Sequence, residues 1–374
     1  MWGRRPVGAD LMAGGGSIPF EMLRSGYGTV IAGEYNPVAW LILKAALEYP
    51  ARYGERLLRD VERYGRWIVE RIREKFAKYY PPHPRGQPTA YIWVRVFRCP
   101  ECGVEIPSLK SLWLDREKGY AVYPEVTGDK VRLHVVRVEE IEKIKVGNRW
   151  ESRVKVIKGP LRGIEFETRG FVSGGKLRCP KHGHIVEQEE VKRQYKEFLE
   201  KKEAEGARGV HPIKLVAVVL EGREYDEPTQ EIGEACLRAE RALVFLWKKL
   251  TLEQDLIPTD FIYQGEKTNE LLLFGIKSWY QLFTARQLLV HAEMVRLIRE
   301  AYRRILKEQL EKGDSKEEAE EYARAVTIYL MLAFGKLLDY NSTLTVWHTS
   351  RAVSYTHLRA HETEADLVCR LLLE

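Results

Sequence analysis

Apolar positions change spacing several times along the chain, and each change marks an element. Asp10-Leu-Met-Ala-Gly-Gly-Gly-Ser-Ile-Pro19 is a glycine turn leading into a helix. Ser17 suits the N-cap, Pro19 the first helical turn and Gly26 the stop. Thr29-Val-Ile-Ala-Gly-Glu-Tyr35 then reads as a short buried strand. Asn36-Pro37 opens a second helix through Leu41, Leu43 and Leu47, ending near Pro50, and a further amphipathic helix runs from about Glu55 to Tyr79. From about Ala90 the period shortens to that of strands: Tyr91 to Phe97, Gly119 to Tyr123, Val131 to Val136 and Val154 to Ile157 cluster or alternate β-formers between turn signals. Val186 to Glu205 reads as a charged, solvated helix, and Lys214 to Leu220 as one more strand. After Gly233 the pattern is helical. Thr284-Ala-Arg-Gln287 and Ser315-Lys-Glu-Glu318 are capping boxes, and the helices they open should form an antiparallel pair.

Composition narrows the class without choosing the function. The chain has 374 residues, 45% hydrophobic and 30% charged, which is too apolar for a disordered tail and long enough for two or three domains. The most apolar stretch, Ala325 to Leu338, is broken by Gly335 and Lys336, so no membrane span is expected. Met1 to Arg5 leads into Pro6 and the glycine loop rather than an apolar signal core, and five cysteines do not make a disulfide scaffold; a reduced, cytoplasmic protein is expected. Sixty Lys and Arg against 54 Asp and Glu leave a charge of +6, which permits nucleic acid as a partner without arguing for it.

Two constellations carry chemistry. Cys99-Pro-Glu-Cys102-Gly103 and Cys179-Pro-Lys-His182-Gly183 have the same form. Two soft ligands two residues apart sit on one tight turn, and two such turns facing each other make the tetrahedron that Zn²⁺ takes. The glycine after each pair lets the turn adopt positive φ. His182 rather than His184 is the expected fourth ligand, because it repeats the two-residue gap. The second constellation is the loop from Asp10 to Gly16, followed by Glu34 at the end of the next strand. Glycines let the backbone approach a ligand, the helix start offers free N–H groups, and a carboxylate at that strand end can accept both hydroxyls of a ribose. The loop is not a phosphate cradle of the Gly-x-x-x-x-Gly-Lys-Ser/Thr form and holds no basic residue, which fits a nucleoside cofactor without phosphate, such as S-adenosylmethionine.

Together these segments resemble one family, the zinc-ribbon-containing adenine-specific DNA methylases. Asp10 to Pro19 resembles that family's cofactor motif, Asp-Pro-Phe-Ala-Gly-Gly-Gly-Ser-Ile-Pro. Glu34-Tyr-Asn-Pro-Val-Ala39 and Leu41 to Pro50 resemble its second strand and following helix, and Tyr91-Ile-Trp93 with Cys99 to Leu109 its first zinc knuckle. Leu282 to Leu289 and Asp339 to His348 resemble its helical portion, so the likeness covers roughly residues 8–350. The resemblance implies an α/β, partial Rossmann-like S-adenosylmethionine-dependent methyltransferase fold with a β-rich zinc-ribbon insertion and a helical region. Its expected parts are a core over 1–89, the zinc-ribbon insertion over 90–186 and a mixed, then helical region over 187–352. The activity it implies is methylation of an exocyclic amino group of DNA, adenine N6 first, in a host-modification or phage-defence setting with possible defence-system partner proteins. Asp10 would then lie near the cofactor's methionine end, Ala13, Gly14, Gly15 and Gly16 along its backbone side and Glu34 on the ribose, with Met12 or Tyr35 flanking adenine.

Three departures shape the expectation. The family's Asp/Asn-Pro-Pro-Tyr/Phe tetrad, which grips the target amino group and stacks a flipped base, is absent: Asn36-Pro37 continues as Val38-Ala39, and Tyr80-Pro81-Pro82-His83 lacks both the leading amide or acid and the aromatic. Trp2-Gly-Arg-Arg-Pro6, ahead of Asp10, is a poor strand former. Residues 353–374 resemble translated sequencing-adaptor sequence, which would leave His357, His361 and Cys369 without functional meaning. The chain is therefore expected to be a fragment clipped at both ends and inactive in methyl transfer by itself. Lys145, Arg149, Arg153, Lys155, Lys158 and Arg162 could track DNA phosphates or form an ordinary solvated β surface with interspersed Glu. His83, His134, His211, His291 and His348 read as structural or surface residues, and Cys236 as a small hydrophobe. Two other classes stay open: a zinc-ribbon nucleic-acid-binding module without enzymatic activity, and an enzyme that uses a nucleoside cofactor on a small molecule.

Overall fold

The computed structural model describes residues 5–146, 149–266, 268–348 and 353–356. Its elements, in order, are β1 (Val7–Asp10), α1 (Ser17–Arg24), β2 (Thr29–Ala32), α2 (Pro37–Leu43), α3 (Tyr49–Phe76), β3 (Pro88–Arg98), β4 (Glu105–Pro107), β5 (Trp113–Asp115) and β6 (Tyr120–Thr127). Then come β7 (Lys130–Val146), β8 (Arg149–Val156), β9 (Glu165–Glu167), β10 (Val172–Ser173), β11 (Lys176–Arg178), β12 (Ile185–Val186), α4 (Gln188–Ala204), β13 (Ile213–Leu220) and β14 (Glu224–Asp226). The chain closes with α5 (Gln230–Lys248), α6 (Asn269–Leu273), α7 (Ala285–Glu311), α8 (Lys316–Tyr340), β15 (Thr345–His348) and β16 (Val353–Thr356). The class is mixed α/β. Of the calls on the last segment, β16 covers residues 353–356, while His357, His361 and Cys369 lie outside the described residues.

Two compact units share the chain. The described residues 5–75 and 291–339 make the first, and those from 76 to 290 and from 340 onward the second. In the first unit, β1 and β2 form a parallel pair in register Val7↔Thr29 to Asp10↔Ala32, joined by α1. The strand starts just beyond the poor strand-forming segment, at Val7, where small residues suffice. A Cβ on Gly8 would meet Met22 Sδ at 2.6 Å and the Tyr27 ring at 2.9 Å, so helix and turn pack directly on the strand backbone. The N-cap of α1 is Gly16 at φ 91°, one residue before the expected Ser17. The tight loop needs a left-handed residue there, and only glycine takes it without strain. The helix ends in a Schellman turn, with Gly26 N–H donating to Leu23 O and Tyr27 N–H to Met22 O. Asn36 caps α2 by accepting from Val38 N–H at 2.9 Å, with Pro37 in the first turn.

The expected stop at Pro50 does not occur. A π-helical segment, Lys44–Glu48, passes directly into α3, and the break falls at Gly54 (φ 52°, ψ −140°). Inside this continuous run the π-helical turn accommodates Pro50: Tyr49 N–H donates back to Lys44 O, and the Ala45 carbonyl, which a proline five residues on cannot bond, accepts from Tyr329 O–H instead, whereas Gly54 at positive φ interrupts the ladder. From there α3 packs Leu57, Val61, Tyr64 and Ile68 against Leu297, Ala301 and Ile305 of α7 and Tyr322, Val326 and Leu330 of α8. Both capping boxes form. Gln287 N–H donates to Thr284 Oγ1 and Glu318 N–H to Ser315 Oγ, each answered by the third-residue side chain.

The second unit holds most of the strands. β3 pairs antiparallel with β13 and β4, and β14 closes that sheet in the order β14-β13-β3-β4. A second sheet runs β5-β6-β7-β8-β9, and β10-β11-β12 make a small third one. One core joins them: Val104, Ile106, Leu177, Val186 and Val216 are almost fully buried, with Tyr195 of α4 among them. No helix among the described residues is long and apolar enough to cross a membrane.

Candidate functional site

The glycine loop sits where the two parallel strands of the first unit end. Because β1 and β2 run the same way, their carboxyl ends share one edge, the place where open α/β sheets bind ligands. Three backbone-directed bonds close the loop against the second strand end. Gly33 N–H donates to Asp10 O at 2.8 Å and Ala13 N–H to Gly33 O at 3.0 Å. Gly14 N–H donates to Glu34 Oε2 at 2.7 Å. The other carboxylate oxygen of Glu34 accepts from Tyr35 N–H at 2.8 Å and Asn36 N–H at 3.0 Å. The Asn36 and Gly14 amides hold the Glu34 carboxyl below the usual carboxylate range, so it is an anion at neutral pH.

Asp10, Met12, Ala13, Gly14, Gly15, Gly16, Glu34 and Tyr35 thus come to one edge. Asp10 Oδ1 accepts from Met12 N–H at 3.1 Å, while Oδ2 is buried without a hydrogen-bond partner. A buried carboxylate oxygen in that state is costly unless a donor reaches it. A Cβ placed on Gly14 (φ 53°) would have nothing within 4 Å, so space lies open before the loop; one on Gly16 would meet Leu43 Cδ2 at 2.8 Å. Met12 and Tyr35 are among the most exposed apolar side chains, at 78% and 94%, and Ala13 is buried.

The cysteine and histidine pairs occupy two hairpin turns of the second unit. Cys99 and Cys102 lie between β3 and β4, and Cys179 and His182 between β11 and β12. The turns are built alike. Cys99 N–H donates to Val104 O, Cys179 N–H to His184 O, and Gly103 and Gly183 each donate back to the first cysteine's carbonyl. Both glycines have positive φ, 72° and 78°, as expected for the residue after each pair. Cys102 Sγ lies 3.7 Å from Cys179 Sγ, and Cys99 Sγ lies 3.6 Å from His182 Nε2; all four ligand atoms fall within 4.8 Å of one another. A tetrahedron with metal–sulfur bonds of about 2.3 Å separates its sulfurs by about 3.8 Å, so the spacing fits one metal ion and the four residues could hold it. Cys99 and Cys179 are buried in the hydrophobic core, which fixes their side. Gln194 of α4 clamps the first turn, its amide donating to Arg98 O and accepting from Arg98 N–H, each at 2.9 Å.

One residue that sequence reasoning passed over is Glu101, inside the first turn. Its carboxylate approaches His184 Nδ1 at 2.9 Å and His182 Nδ1 at 3.7 Å. It therefore lies against the ring nitrogen that His182 leaves free when Nε2 faces the sulfurs, as a carboxylate partner of a metal-bound imidazole does. His184 points to this carboxylate and stands outside the group of four. The sequence shows an acid between the two cysteines of the first pair but not the histidines it meets.

The basic stretch is partly neutralised. Arg153 pairs with Glu142 at 2.8 Å and Lys155 lies 3.9 Å from Glu165. Among the histidines, His211 is buried, with Nε2–H donating to Phe283 O at 3.0 Å and Nδ1 accepting from Tyr195 O–H at 3.1 Å. Burial holds it down at about 4, so it is neutral. His291 is likewise pushed down to about 4 by burial. His83 is buried and meets Glu227 O, while His134 is bracketed by Glu125 and Glu227 at 3.0 and 3.1 Å. The Cys236 thiol bonds Ile232 O within its own helix, and burial pushes its pKa up. The side chain of His348 lies outside the described residues. No family model, no curated protein and no solved structure matches this chain.

Proposed function

We propose that the chain carries the S-adenosylmethionine-binding βαβ unit and the zinc knuckles of a Rossmann-like DNA amino-methyltransferase of the zinc-ribbon adenine-specific class. The observation that carries this reading is the 2.7 Å bond from Gly14 N–H to Glu34, made at the shared carboxyl edge of two parallel strands. It sets a glycine loop with open space before it beside an anionic carboxylate. A ribose can share the second lone pair of Glu34 Oε2, and the unsatisfied Asp10 Oδ2 awaits a donor such as the cofactor's ammonium group. When bound, the cofactor supplies an electrophilic methyl group. This chain's residues bind and orient it. Asp10 and Glu34 hold its polar ends, and Gly14 to Gly16 keep the loop free of side chains. The sequence contains no Asp/Asn-Pro-Pro-Tyr/Phe tetrad, so the reading assigns cofactor holding and DNA contact to this chain and no methyl transfer.

Zinc suits the second site, because three thiolates and an imidazole form a closed four-ligand set of the structural kind. Calorimetry with S-adenosylmethionine, beside a duplex DNA titration at two salt concentrations, tests the whole. Saturable cofactor binding and salt-sensitive DNA affinity are expected. DNA binding without cofactor binding would leave only a metal-bound nucleic-acid module, and cofactor binding without DNA affinity would point to a small-molecule enzyme.

A further inference from the structure

Beyond the cofactor edge and the knuckles, the β7–β8 hairpin offers an unassigned surface. β7 is paired with β6 only as far as Arg137, and β9 meets β8 only at Arg153 to Lys155. From Glu142 to Val146 and from Arg149 to Glu151 the hairpin is therefore two strands alone, while the next residue, Ser152, is fully buried and accepts from Thr168 N–H through its carbonyl. Cross-strand partners share a face and successive residues alternate, so the pleat sorts the side chains. One face carries Glu142 opposite Arg153, ion-paired at 2.8 Å, and Ile144 opposite Glu151. The other carries Lys143 opposite Ser152 and Lys145 opposite Trp150.

That second face has an unusual content. Trp150 is 65% exposed, and Lys143 and Lys145 are exposed with no carboxylate partner among the described residues. At its foot Arg116 donates to Ser152 Oγ at 2.8 Å and meets Glu140 at 3.9 Å, so the acid there already faces a cation. The acids of the hairpin tip are collected on the opposite face. An exposed indole contributes nothing to the core, and a flat partner stacked on it covers a whole ring face. Lysines beside it ask that the partner carry negative charge.

We propose that this face of the β7–β8 hairpin binds an unpaired strand of nucleic acid, with a base stacked on Trp150 and backbone phosphates on Lys143 and Lys145. The inference rests on the nucleic-acid part of the reading above and adds the element, the form of the partner and the residues. Stacking on an exposed aromatic tolerates any base, and flanking cations follow the backbone, so the face is a sequence-independent platform. A strand opened beside a duplex, as when a base is turned out, presents such a ligand.

The test uses the full chain and a fluorescently labelled oligothymidine, read by anisotropy at several salt concentrations. Trp150→Ala is expected to weaken binding roughly 5- to 150-fold, the range measured for lost base–aromatic stacking, while Trp150→Phe stays within a few-fold of the parent. Lys143→Gln with Lys145→Gln should flatten the slope of log affinity against log salt by about 1.4, close to 0.7 for each lost phosphate contact on a single strand. All three sites are at an exposed tip, and unchanged circular dichroism checks that the fold is intact. Parent-like oligothymidine binding by Trp150→Ala overturns the inference and leaves the duplex-binding reading standing. A parent chain that binds no nucleic acid overturns both. Trp150-dependent binding to anionic phospholipid vesicles in place of oligothymidine would assign the face to a membrane surface and also overturn it.

Discussion

Glu101→Ala isolates the carboxylate that lies behind His182, the histidine of the candidate metal cluster. In the parent it makes a full-strength contact with His184 Nδ1 at 2.9 Å and a looser one with His182 Nδ1 at 3.7 Å. It removes no ligand, since the four donor atoms belong to Cys99, Cys102, Cys179 and His182. Such outer partners of a ligating imidazole are worth 10- to 100-fold in metal affinity, about 1.4 to 2.7 kcal/mol. The contact with His182 is longer than a direct hydrogen bond and Glu101 is more than half exposed, which places the expected loss near tenfold. The assay is competition for zinc with a chromophoric chelator, run beside cobalt substitution. The variant should lose affinity while its cobalt spectrum keeps the signature of three sulfurs and one nitrogen. His182→Ala should lose more and change the spectrum. His184→Ala should fall between the parent and Glu101→Ala, because it frees the carboxylate without deleting it. A parent that binds zinc and a Glu101→Ala variant that competes equally well would refute the argument.

Two further outcomes follow from named contacts. The His211 imidazole is held down at about 4 in the fold against about 6.5 unfolded, so below pH 6.5 the unfolded chain takes up a proton that the folded one refuses. Stability should be fully present above pH 6.5 and fall by about 3 kcal/mol as pH drops towards 4; denaturant titrations of the parent and His211→Gln should show a shallower pH dependence in the variant. Gly14→Ala and Gly16→Ala should part company. Both place a side chain at positive φ at a cost of about 1–2 kcal/mol, but only the Gly16 methyl strikes a neighbour, Leu43. The first should chiefly weaken S-adenosylmethionine binding in calorimetry, and the second should chiefly lower the melting temperature.

Local chemistry was legible in the sequence wherever a motif fixes its own geometry. The two knuckles, the capping boxes at Thr284 and Ser315, the Asn36 cap and the loop with Glu34 all depend on residues a few positions apart or on one strand–helix–strand step. What the sequence hid depends on context. Pro50 reads as a stop, yet the π-helical turn before it and the Tyr329 hydroxyl on Ala45 O take up the hydrogen bond it cannot make, and the break falls at Gly54 because that residue adopts positive φ. Val7-Gly-Ala-Asp10 is too short and small to announce a strand; its register comes from Thr29 to Ala32 beside it and from Met22 and Tyr27 packing on Gly8. Glu101 gave no periodic signal, since its role arises only when the second turn brings His182 and His184 to the first. The sorting of Lys143, Lys145 and Trp150 onto one face depends on a bulge between Glu140 and Glu142, which shifts the alternation by one and which no spacing rule supplies.

The two-stranded sheet of the first unit also has a consequence for how the molecule opens. Among the described residues β1 and β2 each pair on one side only, and Val7 and Ile31 remain 66% and 52% exposed. β13, by contrast, lies inside a four-stranded sheet with Val216 to Leu220 buried. In deuterated water the amides of Gly8 and Ile31 should therefore exchange through brief local fraying, while those of β13 wait for the whole unit to come apart. The edge proposed to grip the cofactor is thus held by a single hydrogen-bonded ladder, and a ligand seated there would announce itself as slowed deuterium uptake along these eight residues.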